Sequence, residues 1–223
     1  MYCLWCHEEI VPDVTWRNLF SIINDEVNIC PSCREKLTFI DGPTCPTCSR
    51  PQETKEICAD CKKWQATPSL VRNVSVFTYS TFMKEWMARW KYRGDYKLIY
   101  MVKKEIQAAF VKAFGKEQVT LVPIPLSEER LQERGFNQAE AIASVLPRPI
   151  LHPLTRIHSE KQAKKSRQER LKSPNPFRLK ESISGNIVLI DDLYTTGATL
   201  HWAAELLLQG GAESVRSFTL IRS

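Results

Sequence analysis

The chain has 223 residues, of which 43% are hydrophobic and 25% charged, with 8 glycines, 13 prolines and a formal net charge of +6. This composition suits a soluble globular chain and excludes collagen-like and wholly disordered classes; the length admits a small module beside a medium-sized domain. The longest aliphatic run beside a strand, Ile187 to Ile190, falls far short of the ~20 apolar residues of a membrane-spanning helix, and the opening MYCLWCHEE lacks a secretory signal pattern, so a cytoplasmic location without membrane insertion is expected.

All eight cysteines fall into four CxxC pairs: Cys3 and Cys6, Cys30 and Cys33, Cys45 and Cys48, Cys58 and Cys61. A disulfide framework is the alternative to metal binding, but disulfides rarely persist in the cytosol, and regular two-residue gaps are a metal-ligand spacing. A redox CxxC would sit beside a strand-to-helix pattern, whereas these pairs sit among Pro31, Gly42, Pro43 and Pro46. The tight three-cysteine run of ferredoxins is absent. Eight thiolates suit two closed, structural four-cysteine Zn²⁺ sites. Consecutive pairing puts Cys3, Cys6, Cys30 and Cys33 at one site and Cys45, Cys48, Cys58 and Cys61 at the other; a crossed pairing stays open. So few residues bury little apolar area, and structural zinc, worth ~10 to 16 kcal/mol per site, would supply much of their stability. Two filled sites would lower the formal charge to about +2.

The boundary is expected near Thr67 and Pro68, giving a double zinc ribbon over residues 1–66 and a second domain over 67–223. Residues 1–66 carry seven Lys or Arg against ten Asp or Glu, and residues 67–223 carry 24 against 15. The ribbons are therefore acidic, which favours a protein partner over DNA. Chelation is expected to unfold them while ligand binding by the larger domain stays measurable.

From Val74 onward, alternating strand and helix patterns predict an α/β domain with a mostly parallel sheet. Val74 to Tyr79 reads as a strand, followed by a helix with Phe82, Met83, Trp86, Met87 and Trp90 on one face, ended by Gly94. Leu98, Val102, Ile106, Ala109, Phe110 and Ala113 mark a second amphipathic helix closed by Gly115, and Val119 to Ile124 a buried strand. Asn137 with Glu140 resembles a capping box that opens a helix running to Leu146.

The chemistry concentrates in IVLIDDLYTTGATL, residues 187–200. Four apolar residues form a strand with Asp191 and Asp192 at its carboxyl end. A loop of Thr195, Thr196, Gly197, Ala198 and Thr199 then leads into a helix carrying Leu200, Ala203, Ala204, Leu207 and Leu208, stopped by Gly210 and Gly211. Parallel sheets bind ligands at strand carboxyl ends, and a helix amino terminus offers unpaired N–H groups to an anion. Phosphate is expected on the loop. Continued strand alternation would send the two carboxylates in opposite directions, so the loop must turn at least one of them towards vicinal hydroxyls or hydrated Mg²⁺. These groups together describe a ribose phosphate site; a P-loop is disfavoured because its lysine is missing.

DDLYTTGAT resembles the phosphoribosyl pyrophosphate (PRPP) signature of type I phosphoribosyltransferases. With the four CxxC pairs, VPIPLSEERLQERGFNQAEAIAS over 122–144, and Gln162, Arg170, Asn175 and Phe177, the chain is similar over nearly its whole length to the ComF family. The resemblance implies a type I phosphoribosyltransferase-like fold. It implies ribose contacts from Asp191 and Asp192, and 5′-phosphate contacts from Thr195, Thr196, Gly197, Ala198 and Thr199. It also places VPIP, Arg130 and Arg134 where these enzymes hold pyrophosphate, with Arg134 the stronger candidate to stabilise departing diphosphate; the alternative is that both arginines are solvated at a helix start.

The expected ligand is PRPP with Mg²⁺. Purine transferases of this superfamily commonly carry an acid where Thr195 stands, so a transferase reaction here would need an acceptor that is already nucleophilic, or a base from elsewhere. The family resemblance implies a competence protein that handles incoming single-stranded DNA, with a helicase or translocase docked on the zinc ribbons as the expected partner. An active phosphoribosyltransferase of nucleotide metabolism or salvage is the alternative.

Arg156 to Lys180 holds nine basic and two acidic residues. This stretch reads as a solvated surface, as a loop closing over diphosphate, or as a nucleic-acid contact through Lys161, Lys164, Lys165, Arg167 and Arg170. Phe136, Tyr194 and Trp202 are the candidate stacking platforms.

Overall fold

The computed structural model describes residues 1–11, 27–65, 69–157 and 175–223. The expected boundary at Thr67 and Pro68 lies outside them, as do Gln162 and the five basic residues from Lys161 to Arg170.

Four strands form one sheet in the order β1 (Asn73–Thr78), β6 (Ser214–Arg222), β5 (Asn186–Tyr194) and β2 (Thr120–Pro123), and every pairing is parallel. Parallel neighbours need crossover connections, and helices supply them. Between β1 and β2 run α3 (Thr81–Tyr92), α4 (Leu98–Met101) and α5 (Lys103–Phe114); between β5 and β6 runs α8 (Ala198–Gln209). The β2-to-β5 connection carries α6 (Glu128–Arg134), α7 (Gln138–Ser144) and an antiparallel pair, β3 (Leu154–Arg156) with β4 (Phe177–Leu179). This is the expected α/β sheet with flanking helices.

The apolar stripes fall where expected: Met83, Trp86 and Trp90 of α3, and Ile106 and Phe110 of α5, are fully buried. The single helix expected from Leu98 to Ala113 breaks at Val102, whose φ of −116° and ψ of 11° divide α4 from α5. Leu98, Ile99, Met101 and Val102 are all buried across this break, so the hydrophobic stripe carries no sign of the phase change. Strand β6 had no counterpart among the expected elements. It lies between β1 and β5, and its polar Ser217 and Thr219 are completely buried. Ser217 Oγ donates to Asn73 Oδ1 at 2.8 Å, and Thr219 Oγ1 lies 2.6 Å from Ser75 Oγ, so the burial leaves these hydroxyls satisfied.

The cysteine module is an internal repeat. Each half begins with a knuckle closed by a two-residue bridge, Tyr2 with Glu9 and Thr44 with Pro51, and each knuckle turns on a left-handed residue after its second cysteine, His7 and Ser49. Each then supplies its second pair from a short helix, α1 (Pro31–Arg34) and α2 (Ala59–Trp64), with Cys30 and Cys58 at the N-caps. The module docks on the edge of β1: Phe39 bridges Phe77, and the Thr78 N–H donates to the Thr38 carbonyl at 2.9 Å. Arg89 of α3 lies 4.4 Å over the Trp5 ring, and Arg34 pairs with the buried Glu105 of α5 at 2.6 Å.

Candidate functional site

The eight cysteines form two clusters, Cys3, Cys6, Cys30 and Cys33, and Cys45, Cys48, Cys58 and Cys61. Consecutive pairing is therefore the arrangement adopted, rather than the crossed one. Within each cluster the sulfurs lie within 4.8 Å of one another, with Cys6 to Cys30 at 3.6 Å and Cys48 to Cys58 at 3.7 Å. A tetrahedral zinc with ~2.3 Å bonds places its sulfurs about 3.8 Å apart, so both clusters fit the ion and neither leaves a coordination position for chemistry.

In the sheet, β5 runs through Tyr194 and carries both aspartates within the strand. They point to opposite faces, and no loop turns either one. This corrects the expectation that one had to be redirected. Asp192 is buried and its Oδ2 accepts an ion pair from Lys91 Nζ of α3 at 2.7 Å. Asp191 is half-buried, lines the cleft over 193–200, and accepts the Asp192 N–H at 2.8 Å. Burial and the neighbouring Asp192 carboxylate push the Asp191 carboxyl up to about 7, against the Asp192 N–H and the charges of Lys91 and Arg156. Raised above its unfolded value, this group contributes stability fully present below about pH 4 and lost as pH rises through 7.

Gly197 is the N-cap of α8. Its φ of 82° is left-handed, and it has no side chain to cap the helix. Thr196 Oγ1 accepts the Ala198 N–H at 3.4 Å, and the cap residue supplies no other acceptor to the first turn. Thr195, Thr196, Gly197, Ala198 and Thr199 line the same cleft as Asp191, so the structure brings the expected phosphate loop and one expected ribose carboxylate together. The glycine is required locally as well. A Cβ at Gly197 would lie 2.2 Å from the Tyr194 hydroxyl, and Tyr194 is 1% exposed.

Arg130 and Arg134 are not among the residues lining this cleft. Arg134 ends α6 before left-handed Gly135; it is buried, donates to Gln138 Oε1 at 2.8 Å and lies 6.0 Å over the Tyr92 ring. Asn137 caps α7 by accepting the Ala139 N–H and ties the segment back to β2 through the Ile124 carbonyl at 3.0 Å. Glu140 does not close the expected capping box; its partner is His152 at 3.5 Å.

Of the stacking candidates, Tyr194 is packed beneath Gly197 and is unavailable to a base. Phe136 packs on Trp90 and Tyr96, and Trp202 packs against the core. Among the described residues the exposed aromatics are Tyr2, Phe39, Tyr79, Tyr92, Tyr96 and Tyr100, of which Tyr92, Tyr96 and Tyr100 follow one another at four-residue steps. The sequence reading missed Lys91, Trp64 and Arg222. None of the three lies in a motif, and only the fold carries them to residues 192–196.

The double zinc ribbon domain family matches residues 2–62, and the phosphoribosyl transferase domain family matches residues 96–223. Competence protein ComFC of Bacillus subtilis is 50% identical to the chain, the match covering 100% of the chain and 95% of that protein. Competence protein ComFC of Streptococcus pneumoniae is 33% identical, with 100% of each covered. DNA utilization protein YhgH of Escherichia coli is 26% identical over 96% of the chain and 98% of that relative. Strand β1 and helix α3, with Lys91, precede the transferase match yet complete its sheet and its aspartate pair. Among the described residues, no helix is long and apolar enough to cross a membrane.

Proposed function

The chain belongs to the ComF family, a phosphoribosyl transferase domain behind a double zinc ribbon, and from that premise we propose that it acts in natural transformation, handling incoming single-stranded DNA in the cytoplasm with a pocket that binds Mg²⁺-PRPP. One observation carries the ligand: the uncapped amino terminus of α8 and the half-buried Asp191 line a single cleft. In this reading Thr195 to Thr199 hold the 5′-phosphate, and Asp191 accepts from the ribose hydroxyls or orients hydrated Mg²⁺. Asp192 is held by Lys91 beside it; Arg130 and Arg134 lie outside the cleft lining, so for them to meet the diphosphate Arg134 would have to leave Gln138. Among the residues lining the cleft, Asp191 is the single carboxylate, and Thr195 offers no base to an acceptor. This favours ligand binding over turnover. The DNA role draws on the named functions of the relatives, on the basic composition of the run from Lys161 to Arg170, and on the exposed Tyr92, Tyr96 and Tyr100, interleaved with Arg93, Lys97 and Lys103, as a stacking surface. A competence helicase or translocase would dock on the acidic zinc ribbons.

The test is a thermal-shift and binding series on the full chain. PRPP with Mg²⁺ at 100 times its Kd should raise Tm by about 5 to 10 °C, and the Asp191→Asn, Asp192→Asn double variant should lose that shift while remaining folded. An equal shift in the variant would remove both carboxylates from the site. A short oligonucleotide should bind the wild type, and replacing Tyr92, Tyr96 and Tyr100 with alanine should weaken it by at least about tenfold. Pyrophosphate release with any acceptor would promote the salvage-enzyme alternative.

The pH profile is a separate check. An Asp191 carboxyl titrating near 7 is about one-tenth ionised at pH 6 and nine-tenths at pH 8, so Mg²⁺-PRPP affinity should rise about tenfold over that range. Asp191→Asn should flatten the profile; if the inflection persists, it belongs to the ligand.

A further inference from the structure

Three consecutive carbonyls of the phosphate loop are held from outside it. Arg222 Nη1 donates to the carbonyls of Tyr194 at 3.0 Å and Thr195 at 3.1 Å, and Trp64 Nε1 donates to that of Thr196 at 2.9 Å. In a trans peptide the carbonyl of one residue and the N–H of the next point in opposite directions, and none of the described peptides is cis. Holding these three carbonyls therefore turns the N–H groups of Thr195, Thr196 and Gly197 away from Arg222 and Trp64. An anion cradle requires that polarity, with donors facing the ligand and acceptors facing away.

Both donors are anchored at the second cysteine cluster. Trp64 ends α2, three residues after Cys61, and its ring stacks on His201 with centroids 4.1 Å apart. Arg222 is 2% exposed at the end of β6. Its Nε donates to the Cys48 carbonyl at 3.1 Å and its Nη2 lies 3.3 Å from Cys48 Sγ. The guanidinium thus spans from a metal-ligating residue to the loop. The first cluster makes its contacts elsewhere, through Trp5 to α3 and Arg34 to α5.

We propose that the second metal centre buttresses the phosphate loop, with Arg222 and Trp64 as the positioning residues that transmit it. Metal held by Cys45, Cys48, Cys58 and Cys61 fixes the Cys48 backbone and α2; these fix the two side chains, and the side chains set the loop's peptide planes. The ribbons are then part of the ligand site, in place of the expectation that ligand binding outlives their chelation. This inference rests on the ribose-phosphate reading of the cleft, so its test includes a measurement that needs no ligand.

Wild type, Trp64→Phe, Cys58→Ser and Cys6→Ser chains are compared for zinc content, amide hydrogen exchange over 195–200, and affinity for ribose 5-phosphate. Trp64→Phe keeps a ring on His201 and removes one donor. It should retain two zinc ions, speed loop exchange several-fold, and weaken ribose 5-phosphate by about two- to tenfold, the worth of one hydrogen bond. Cys58→Ser should lose one zinc and weaken the ligand by at least about tenfold, whereas Cys6→Ser, also losing one zinc, should stay within about twofold. If Cys58→Ser does not fold, Trp64→Phe decides alone. Loop exchange unchanged from wild type in Trp64→Phe overturns the buttress. Faster loop exchange in Trp64→Phe, when the wild-type chain has no affinity for ribose 5-phosphate, supports the buttress and overturns the ribose-phosphate reading instead.

Discussion

Gly197→Ala is expected to abolish tight binding of ribose phosphates, weakening it by at least about a hundredfold while the sheet stays intact. Two costs meet at this position. A left-handed φ of 82° costs a residue with a Cβ roughly 1 to 2 kcal/mol. The added carbon would also lie 2.2 Å from the Tyr194 hydroxyl and 2.6 Å from Cζ of that ring. Tyr194 cannot swing aside, because it is 1% exposed and the Arg222 guanidinium lies 4.8 Å over its ring. The loop must move instead, and the first-turn N–H groups of α8 move with it. Losing two hydrogen bonds to a charged phosphate at ~1.5 to 3 kcal/mol each accounts for the affinity change. Strain and overpacking together should cost about 2 to 4 kcal/mol of stability, or a Tm lower by roughly 5 to 15 °C. Gly135→Ala is the control: its φ is 75°, but an added Cβ meets nothing within 4 Å, so it should show the conformational cost alone. Equal losses in the two variants would show that Tyr194 yields and that the close approach is unimportant.

Lys91→Met should destabilise the fold by about 3 to 5 kcal/mol, the cost of stranding one partner of a buried ion pair. Lys91 Nζ and Asp192 Oδ2 are 2.7 Å apart, and each side chain is 12% exposed, so water cannot replace the missing charge. Methionine preserves most of the lysine stem, which isolates the charge from the packing. The double variant Lys91→Met, Asp192→Asn should recover most of the loss, since the stranded charge is then gone. Denaturant titration of the four chains measures the coupling; a coupling below about 0.5 kcal/mol would mean that the pair is solvated, as surface pairs are. The same pair gives Asp192 a structural partner outside the phosphoribosyl transferase match, which explains why the domain needs β1 and α3 to be complete.

The cysteine spacing, the parallel-sheet class and the loop of 195–199 were legible because each is local. CxxC brings two sulfurs within reach of one ion, apolar runs of four or five mark buried strands, and a glycine among threonines before an amphipathic stripe marks an open helix terminus. Strand β6 was hidden for the opposite reason. Its Ser217, Thr219 and Arg222 are polar, and they are acceptable in the centre of the sheet only because Asn73, Ser75, Cys48 and Tyr194 reach them from distant segments. The stacking candidate Tyr194 failed on the same ground: it reads as an aromatic beside a site, and its burial depends on the helix and strand that close over it.

Sequence alone was sufficient to pick out the local groups: eight sulfurs for metal, a threonine-glycine loop ahead of a helix, and two adjacent carboxylates. Spacing along the chain decides which of these groups can act together within one turn or one knuckle. Tertiary structure decided their orientation and their state of charge. It assigned Asp192 to Lys91, left Asp191 facing the cleft with a carboxyl titrating near neutrality, and ran Arg222 from Cys48 to the phosphate loop 146 residues away. Burial and long-range hydrogen bonds set those properties, and they arise only when the sheet brings its strands side by side.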